Sequence, residues 1–283
     1  PMVLTIPQYR TEQLLEEACK EADIPLHRNH GIESITQKEN EVELRFEKYD
    51  TTYNYDLVIA ADGVRSTTRA LLGVASKEQK LPDFYAMADF KDGKEDDRRA
   101  RLYLHPEGIV ESFPLPNQER RWICRFDESV QFSDSEGIRA TVQERCGVTI
   151  ADQADSKYYS SFQPYVQQAE RAVSGRVILM GDALQAVSPI GGQGMNLGWL
   201  QGKILSDLLH ETNKEATLEK TLRVYEKKAM HIGQKALKQS LRNTWMGRSG
   251  WYPLKKLMAR SIASPIMAER SMRIFSMQWL EEA

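Results

Sequence analysis

Several common signatures are missing from this 283-residue sequence, and each absence removes a class of function. Three cysteines occur, Cys19, Cys124 and Cys146, and their scatter excludes a disulfide framework or a thiolate metal site. That usage fits a reducing, cytoplasmic setting. No apolar run approaches the roughly 18 residues that a membrane span needs, so no integral membrane segment is expected, and no signal peptide is visible. Neither sign of charge dominates: 38 Lys and Arg stand against 40 Asp and Glu, a formal net charge of −2, which gives no reason to expect a nucleic-acid partner. There is no G-x-S-x-G elbow, no Walker A loop and no H-E-x-x-H. His27 and His30 stand three apart without a cluster of further ligands, so no metal site is assigned. No carboxylate pair stands out as a hydrolytic dyad. The dinucleotide fingerprint G-x-G-x-x-G is also missing. Gly191-Gly192-Gln193-Gly194 does not supply it, and the chain opens on Pro1-Met2-Val3-Leu4 without the strand that should precede such a loop.

What is present is a mixed α/β chain long enough for one large or two modest domains. Thr5-Ile6-Pro7-Gln8 has the form of a capping box, starting a helix to about Ala22 with Leu14, Leu15 and Ala18 on its apolar face. Ile32 to Phe46 reads as two strands around the polar turn Lys38–Glu41, and Tyr55 to Ala60 as an apolar, central strand. From Phe84 to Phe126 the texture changes to short strands separated by turns such as Pro106-Glu107-Gly108, a β-rich insert able to form one wall of a substrate cavity. The span Lys91 to Arg99 reads as a charged hairpin tip. Ser135 to Cys146 is predicted helical, with Gly147 as its stop. After Leu209 the pattern is helical, and Trp245 to Trp279 is basic and amphipathic, a segment that packs on protein more often than on a membrane surface.

Two strand–turn–helix units carry the chemistry. In the first, Leu57 to Ala60 runs into Ala61-Asp62-Gly63-Val64-Arg65-Ser66-Thr67-Thr68-Arg69. In the second, the apolar run Val177 to Met180 meets Gly181-Asp182, then a loop with Pro189, Gly191, Gly192 and Gly194, then a helix from about Met195 to Leu209. Glycines at a loop–helix junction allow backbone N–H groups to approach a ligand, where the helix dipole favours negative charge or a polarised ring edge. An Asp at the carboxyl end of a strand is placed to accept hydrogen bonds from a sugar-like chain. Taken alone, either unit is also an ordinary connection.

Together they resemble the single-component FAD-dependent aromatic hydroxylases typified by 4-hydroxybenzoate hydroxylase. Asp62 to Arg69 is similar to that family's D-G-x-x-S-x-x-R motif. Gly181-Asp182-Ala183, followed by Pro189, Gly191, Gly194, Met195 and Asn196, resembles its G-D motif and flavin-contacting loop. Gln8, with Glu12 and Leu14, resembles the Q-x-x-x-E-x-L helix start. The similarity spans Ile6 to Gly202. Leu184-Gln185 departs from the usual Ala-His, and Gln201-Gly202 from the usual Asp-Ala. The family's N-terminal glycine-rich βαβ unit has no counterpart here, a shortfall of roughly a hundred residues that leaves the adenosine half of the cofactor site unaccounted for.

The resemblance implies an incomplete Rossmann-like FAD-binding domain with an inserted antiparallel β-sheet substrate domain and C-terminal helices. Its segments would be 1–75 and 166–212 for the FAD-binding domain, 76–165 for the substrate domain and 213–283 for the helical region. It implies FAD as cofactor, NAD(P)H as co-substrate and hydroxylation of an aromatic or polyketide-like small molecule through a C4a-hydroperoxyflavin. Asp182 would bind the ribityl hydroxyls, and Gly194, Met195 and Asn196 the pyrimidine edge of the ring. Asp62 and Gly63 would shape a turn shared by FAD and the nicotinamide, and Gln8 would reach the phosphate or ribityl region, with Arg10 competing for that role. No protein group is assigned as catalytic acid or base, because the flavin supplies the reactive group. Two alternatives stay open: a flavin-dependent halogenase or reductase of the same fold, and a truncated chain that acts only with an N-terminal piece. The expected partners are an aromatic small molecule and either a second copy of the chain or that missing segment.

Overall fold

The computed structural model describes residues 5–91, 99–128, 135–151, 158–189, 194–211 and 217–248. The hairpin tip expected after Lys91 and most of the basic segment after Trp245 lie outside them. Helix α1 (Gln8–Glu21) precedes β1 (Ile32–Gln37), β2 (Val42–Phe46) and β3 (Thr52–Tyr55); β4 (Val58–Ala60) and the short α2 (Thr67–Leu71) follow. Next come β5 (Ser76–Lys80), β6 (Phe84–Lys91), β7 (Arg101–Tyr103), β8 (Val110–Leu115), β9 (Glu119–Phe126) and α3 (Glu136–Cys146). The chain continues through β10 (Tyr158–Phe162), β11 (Tyr165–Ala169), β12 (Val173–Ser174) and β13 (Val177–Leu179). After a single 3-10 turn at Gly181–Ala183, β14 (Gln185–Ala186), α4 (Gly194–Glu211) and α5 (Leu218–Gly247) complete the described part. The architecture is mixed α/β, in two compact units.

One unit takes Pro1–Leu26, Leu81–Pro164 and Thr244–Arg273. Its centre is an antiparallel sheet in the order β10-β6-β9-β8-β7. Alternation along the strands turns Ala86, Ala88, Phe90, Val110, Trp122 and Cys124 to one face, where Ile138 and Val142 of α3 close the core. Gly147 ends α3 with φ +65°, donating its N–H to Gln143, so the expected glycine stop is present. The capping box expected at Thr5 does not form. Pro7 is the N-cap residue, with extended φ and ψ, so Gln8 is the first helical residue and cannot reach back as a box requires. Instead the Thr5 hydroxyl donates to the Pro114 carbonyl, and the Gln8 amide donates to Glu12 at 2.9 Å. The expected apolar face of α1 is largely uncovered in this unit, with Leu14 and Leu15 both exposed.

The other unit takes the described residues of His27–Lys80 and Tyr165–Asn243. Its three small sheets run β1-β2-β3, β14-β11-β5 and β12-β13-β4. β13 and β4 are parallel and in register, pairing Val177 with Val58, Ile178 with Ile59 and Leu179 with Ala60. Val42 and Leu44 of the meander pack with Val58 and Val177. Ala60, Ile178, Leu179 and Leu184 pack with Leu205 of α4 and with Leu222, Tyr225 and Ala229 of α5. The strand expected from Tyr55 to Ala60 is broken at Asp56-Leu57. Its second half is the edge of its sheet among the described residues, and Ile59 is 48% exposed.

Candidate functional site

Because β4 and β13 are parallel and in register, the chain leaves both at the same end. The ladder extends one step further, with Met180 N–H donating to the Ala60 carbonyl at 2.9 Å. The two turns singled out by sequence, Asp62-Gly63 and Gly181-Asp182, therefore emerge side by side at the carboxyl ends of parallel strands, where α/β sheets hold ligands. Gly63 has φ +80° and Gly181 φ +59°. An added Cβ would meet nothing within 4 Å at either. Glycine is needed there for the left-handed backbone and not for room.

The first turn is tied internally. Both Asp62 oxygens are used, Oδ1 by the Ser66 hydroxyl at 2.5 Å and Oδ2 by the Thr68 N–H at 2.9 Å. Ser66 Oγ in turn accepts from Arg69 N–H at 2.9 Å and caps α2. Burial works against ionisation of Asp62, but the hydrogen bonds from Ser66 and Thr68 outweigh it and hold the carboxyl below its ordinary value. The buried Arg69 guanidinium donates to the Val64 carbonyl at 2.8 Å and, across to the second turn, to the Ala183 carbonyl at 2.9 Å. Gln167 of β11 completes the junction: with its amide oriented to satisfy both neighbours, it donates to Val64 O at 3.0 Å and accepts from Arg69 Nη1 at 2.9 Å.

The second turn is held from outside and leaves its acid free. Gln201 of α4, fully buried, accepts the Gly181 N–H through Oε1 at 2.8 Å. Gly198 lies one turn earlier, where a Cβ would stand 3.4 Å from the Gly181 Cα, so a small residue lets α4 approach this closely. Asp182 makes no hydrogen bond or ion pair with another described residue. It reaches solvent, yet desolvation by its surroundings raises its carboxyl above the ordinary range. Tyr165 is close enough that, after burial, the Asp182 charge is the next cause raising its hydroxyl.

Gly194, Met195 and Asn196 open α4, at the end of the helix where backbone N–H groups point outward; Asn196 already has an interaction of its own within the chain. Met195 and, one turn on, Trp199 expose about half their surface, at 46% and 50%. Pro189 is exposed and follows Ser188, whose N–H is held by Ser240 Oγ at 3.3 Å. Gly191 and Gly192 lie outside the described residues. Gln8 belongs to the other unit, on the exposed start of α1. The second unit thus brings together Asp62, Gly63, Gly181 and Asp182, with α4 packed against the 3-10 turn. It offers one carboxylate acceptor for hydroxyls and a set of backbone donors, a fit to a polyol chain attached to a polar-edged ring.

Three residues that build this site escape motif reading. Gln201 and Gln185 stand where the chain departs from the familiar pattern, and the departure itself is the signal. Gln201 holds Gly181, while Gln185 is buried at 3% exposure against Gly233 of α5. Gln167 has no sequence signal, because a glutamine in a strand is indistinguishable from a surface one until the strand is buried.

A family model described as FAD binding domain matches residues 1–240. The 12-dehydrotetracycline 5-monooxygenase/anhydrotetracycline 6-monooxygenase of Streptomyces rimosus subsp. rimosus is 30% identical over 217 residues, covering 70% of this chain and 42% of that protein. The 3-(3-hydroxy-phenyl)propionate/3-hydroxycinnamic acid hydroxylase of Burkholderia cenocepacia is 26% identical over 218 residues, covering 72% of this chain and 40% of that protein. The solved OxyS anhydrotetracycline hydroxylase from Streptomyces rimosus superposes with a TM-score of 0.74 at 26% identity, over 96% of this chain and 57% of that one. The matched stretch thus spans about two fifths of each of these two curated relatives. Among the described residues no helix is long and apolar enough to cross a membrane, and no cluster of His, Cys, Asp and Glu could hold a metal ion. With 240 of its 283 residues matched, this chain belongs to the family of FAD binding domains.

Proposed function

We propose that this chain is the flavin-ring portion of an FAD-dependent monooxygenase that uses NAD(P)H and O2 to hydroxylate an aromatic or polyketide-like small molecule. The observation that carries the reading is the unpartnered Asp182 carboxylate beside a buried, braced backbone turn. Asp182 would accept from the ribityl hydroxyls. The first-turn N–H groups at Gly194, Met195 and Asn196 would face the pyrimidine edge of the ring, with Pro189, Gly191 and Gly192 in the loop before them. Asp62 and Gly63 act by shaping the neighbouring turn, since both Asp62 oxygens are already engaged. FAD, when bound, supplies the redox chemistry and the activation of oxygen; the protein's part is position, exclusion of water and electrostatics. Relatives named for tetracycline intermediates and hydroxyphenyl acids support an aromatic substrate. The scattered cysteines favour a cytoplasmic setting. We assign Gln8 no contact beyond its own helix.

The test is oxygen incorporation. The full chain reconstituted with FAD, given NADPH or NADH under 18O2 with phenols and polyketide-like aromatics, should yield a product carrying one labelled oxygen. Reduced nicotinamide consumed across the panel without label in any product would point to a reductase and overturn the reading.

A further inference from the structure

The five-stranded sheet has a second face, opposite α3. Its register sets Leu102, Glu111, Ile123, Met87 and Ser160 in one row across β7, β8, β9, β6 and β10. Beside that row lie Phe113 with Arg121 and Asp89, and on the other side Arg125 with Tyr85 and Phe162. Met87, Phe113 and Ile123 are half-buried, so the apolar side chains of this mixed face are only partly covered. Set into it is Glu111, 5% exposed and without a hydrogen bond or ion pair to any described residue.

The arginines flanking Glu111 on β9 do not serve it. Arg121 donates twice to Asp89, at 2.7 and 2.8 Å. Arg125 is paired with the fully buried Asp83 at 2.9 Å, and Arg248 from the end of α5 joins the same acid at 2.9 Å. A second polar group on this face is also unsatisfied. Tyr85 is 2% exposed, and its hydroxyl has no hydrogen-bond partner. Buried polar atoms are normally paired, and one left alone costs about 1–3 kcal/mol. Tyr85 Oη and Arg125 Nη1, both buried without a partner among the described residues, and the unpaired Glu111 carboxyl leave hydrogen-bonding capacity unused on one face, which points to a ligand as the missing partner.

We propose that Glu111 is the substrate anchor of this wall, accepting a hydrogen bond from a hydroxyl of a planar aromatic that bears no carboxylate. The inference rests on the monooxygenase reading and names its substrate class. A carboxylate-bearing aromatic is disfavoured because Glu111 would repel a second carboxylate, and because Arg121, Arg125 and Arg248 are each charge-paired with an acid, Arg125 keeping only its Nη1 donor unused.

The test uses three naphthalenes as probes, 2-naphthol, 2-methoxynaphthalene and 2-naphthoate, titrated against the full chain by fluorescence at about pH 8, where the Glu111 carboxyl is ionised, with FAD binding measured on the same samples. The expected order is naphthol tighter than its methyl ether by about tenfold or more, the range of a hydrogen bond to a charged group, with naphthoate weakest. Glu111→Leu should abolish the preference for naphthol. Glu111→Gln, which keeps shape and an uncharged acceptor, should reduce it several-fold and carries the test if the leucine variant does not fold. Equal binding of naphthol and ether, or an undiminished preference in Glu111→Gln, overturns the proposal. If FAD binds normally in that case, the substrate anchor alone is wrong. If the naphthol preference holds but FAD does not bind, the anchor stands and the monooxygenase reading falls.

Discussion

Arg69 donates from its guanidinium to the carbonyl of Ala183, 114 residues further along the chain, at 2.9 Å. That bond joins the two turns that sequence alone had marked separately. It also gives the terminal arginine of D-G-x-x-S-x-x-R a structural duty: it fixes where the second turn stands relative to the first.

Replacing Arg69 with Met keeps length and apolar stem but removes the donors to Ala183, Val64 and Gln167. Two buried acceptors, the Ala183 carbonyl and the Gln167 amide oxygen, then lose their donor while Val64 O keeps the Gln167 amide, and the chain should lose roughly 2 kcal/mol of stability. A urea titration followed by circular dichroism measures this. A loss under about 0.5 kcal/mol, typical of an inconsequential surface change, would mean that the turns are held by something else.

Asp62→Asn should matter mainly as a pH effect. The folded carboxyl lies below its ordinary value, so its contribution is fully present above the unfolded pKa and is lost as pH falls through the folded one. The wild type should therefore exceed the variant by about 1 kcal/mol, the scale of a lost cap, at pH 7. The two should converge in strong acid. Parallel melting curves at pH 7 and pH 3 provide the comparison; a difference that does not shrink on acidification contradicts the role given to the carboxylate.

Much of this architecture was legible beforehand, for reasons that can be named. The strand Val177–Leu179 was visible because it is fully buried and thus continuously apolar, and the stop at Gly147 because only a left-handed residue ends α3 as it does. The pairing of the two turns was legible only through family resemblance, since nothing local says that residues 62 and 182 meet. Three features were hidden. Pro7 shifts the start of α1 by taking the cap position itself. Ile59 continues an apolar run yet is exposed, because apolarity does not report whether a neighbouring strand is present. Glu111 follows a valine in a short strand and reads as a solvent-facing residue until the sheet register turns it inward.

Glu111 carries a stability signature with the opposite sign to Asp62. Burial pushes its carboxyl up to about 7. Folding therefore favours the protonated form, and stability is lost as pH rises from the unfolded value near 4.5 through the folded one. The penalty above pH 8 is on the order of 3 kcal/mol. The other charges facing this region, Asp89 with Arg121 and Asp83 with Arg125 and Arg248, are mutually paired and do not relieve it. Glu111→Gln should be more stable than wild type at pH 8 and equal to it at pH 5. Equal stability at both would show that the carboxyl has a partner in the folded chain.

On the function proposed above, the Gly181-Asp182 turn and the start of α4 hold the ribityl and ring portion of FAD. The most direct measurement is titration of FAD with the full chain, followed by quenching of flavin fluorescence, for wild type and Asp182→Ala. Saturable quenching is expected, weakened at least tenfold in the variant, as loss of hydroxyl hydrogen bonds to a carboxylate implies, with an unchanged melting midpoint because Asp182 bonds to no other described residue. No quenching by the wild type, or identical affinity in Asp182→Ala, would contradict the account.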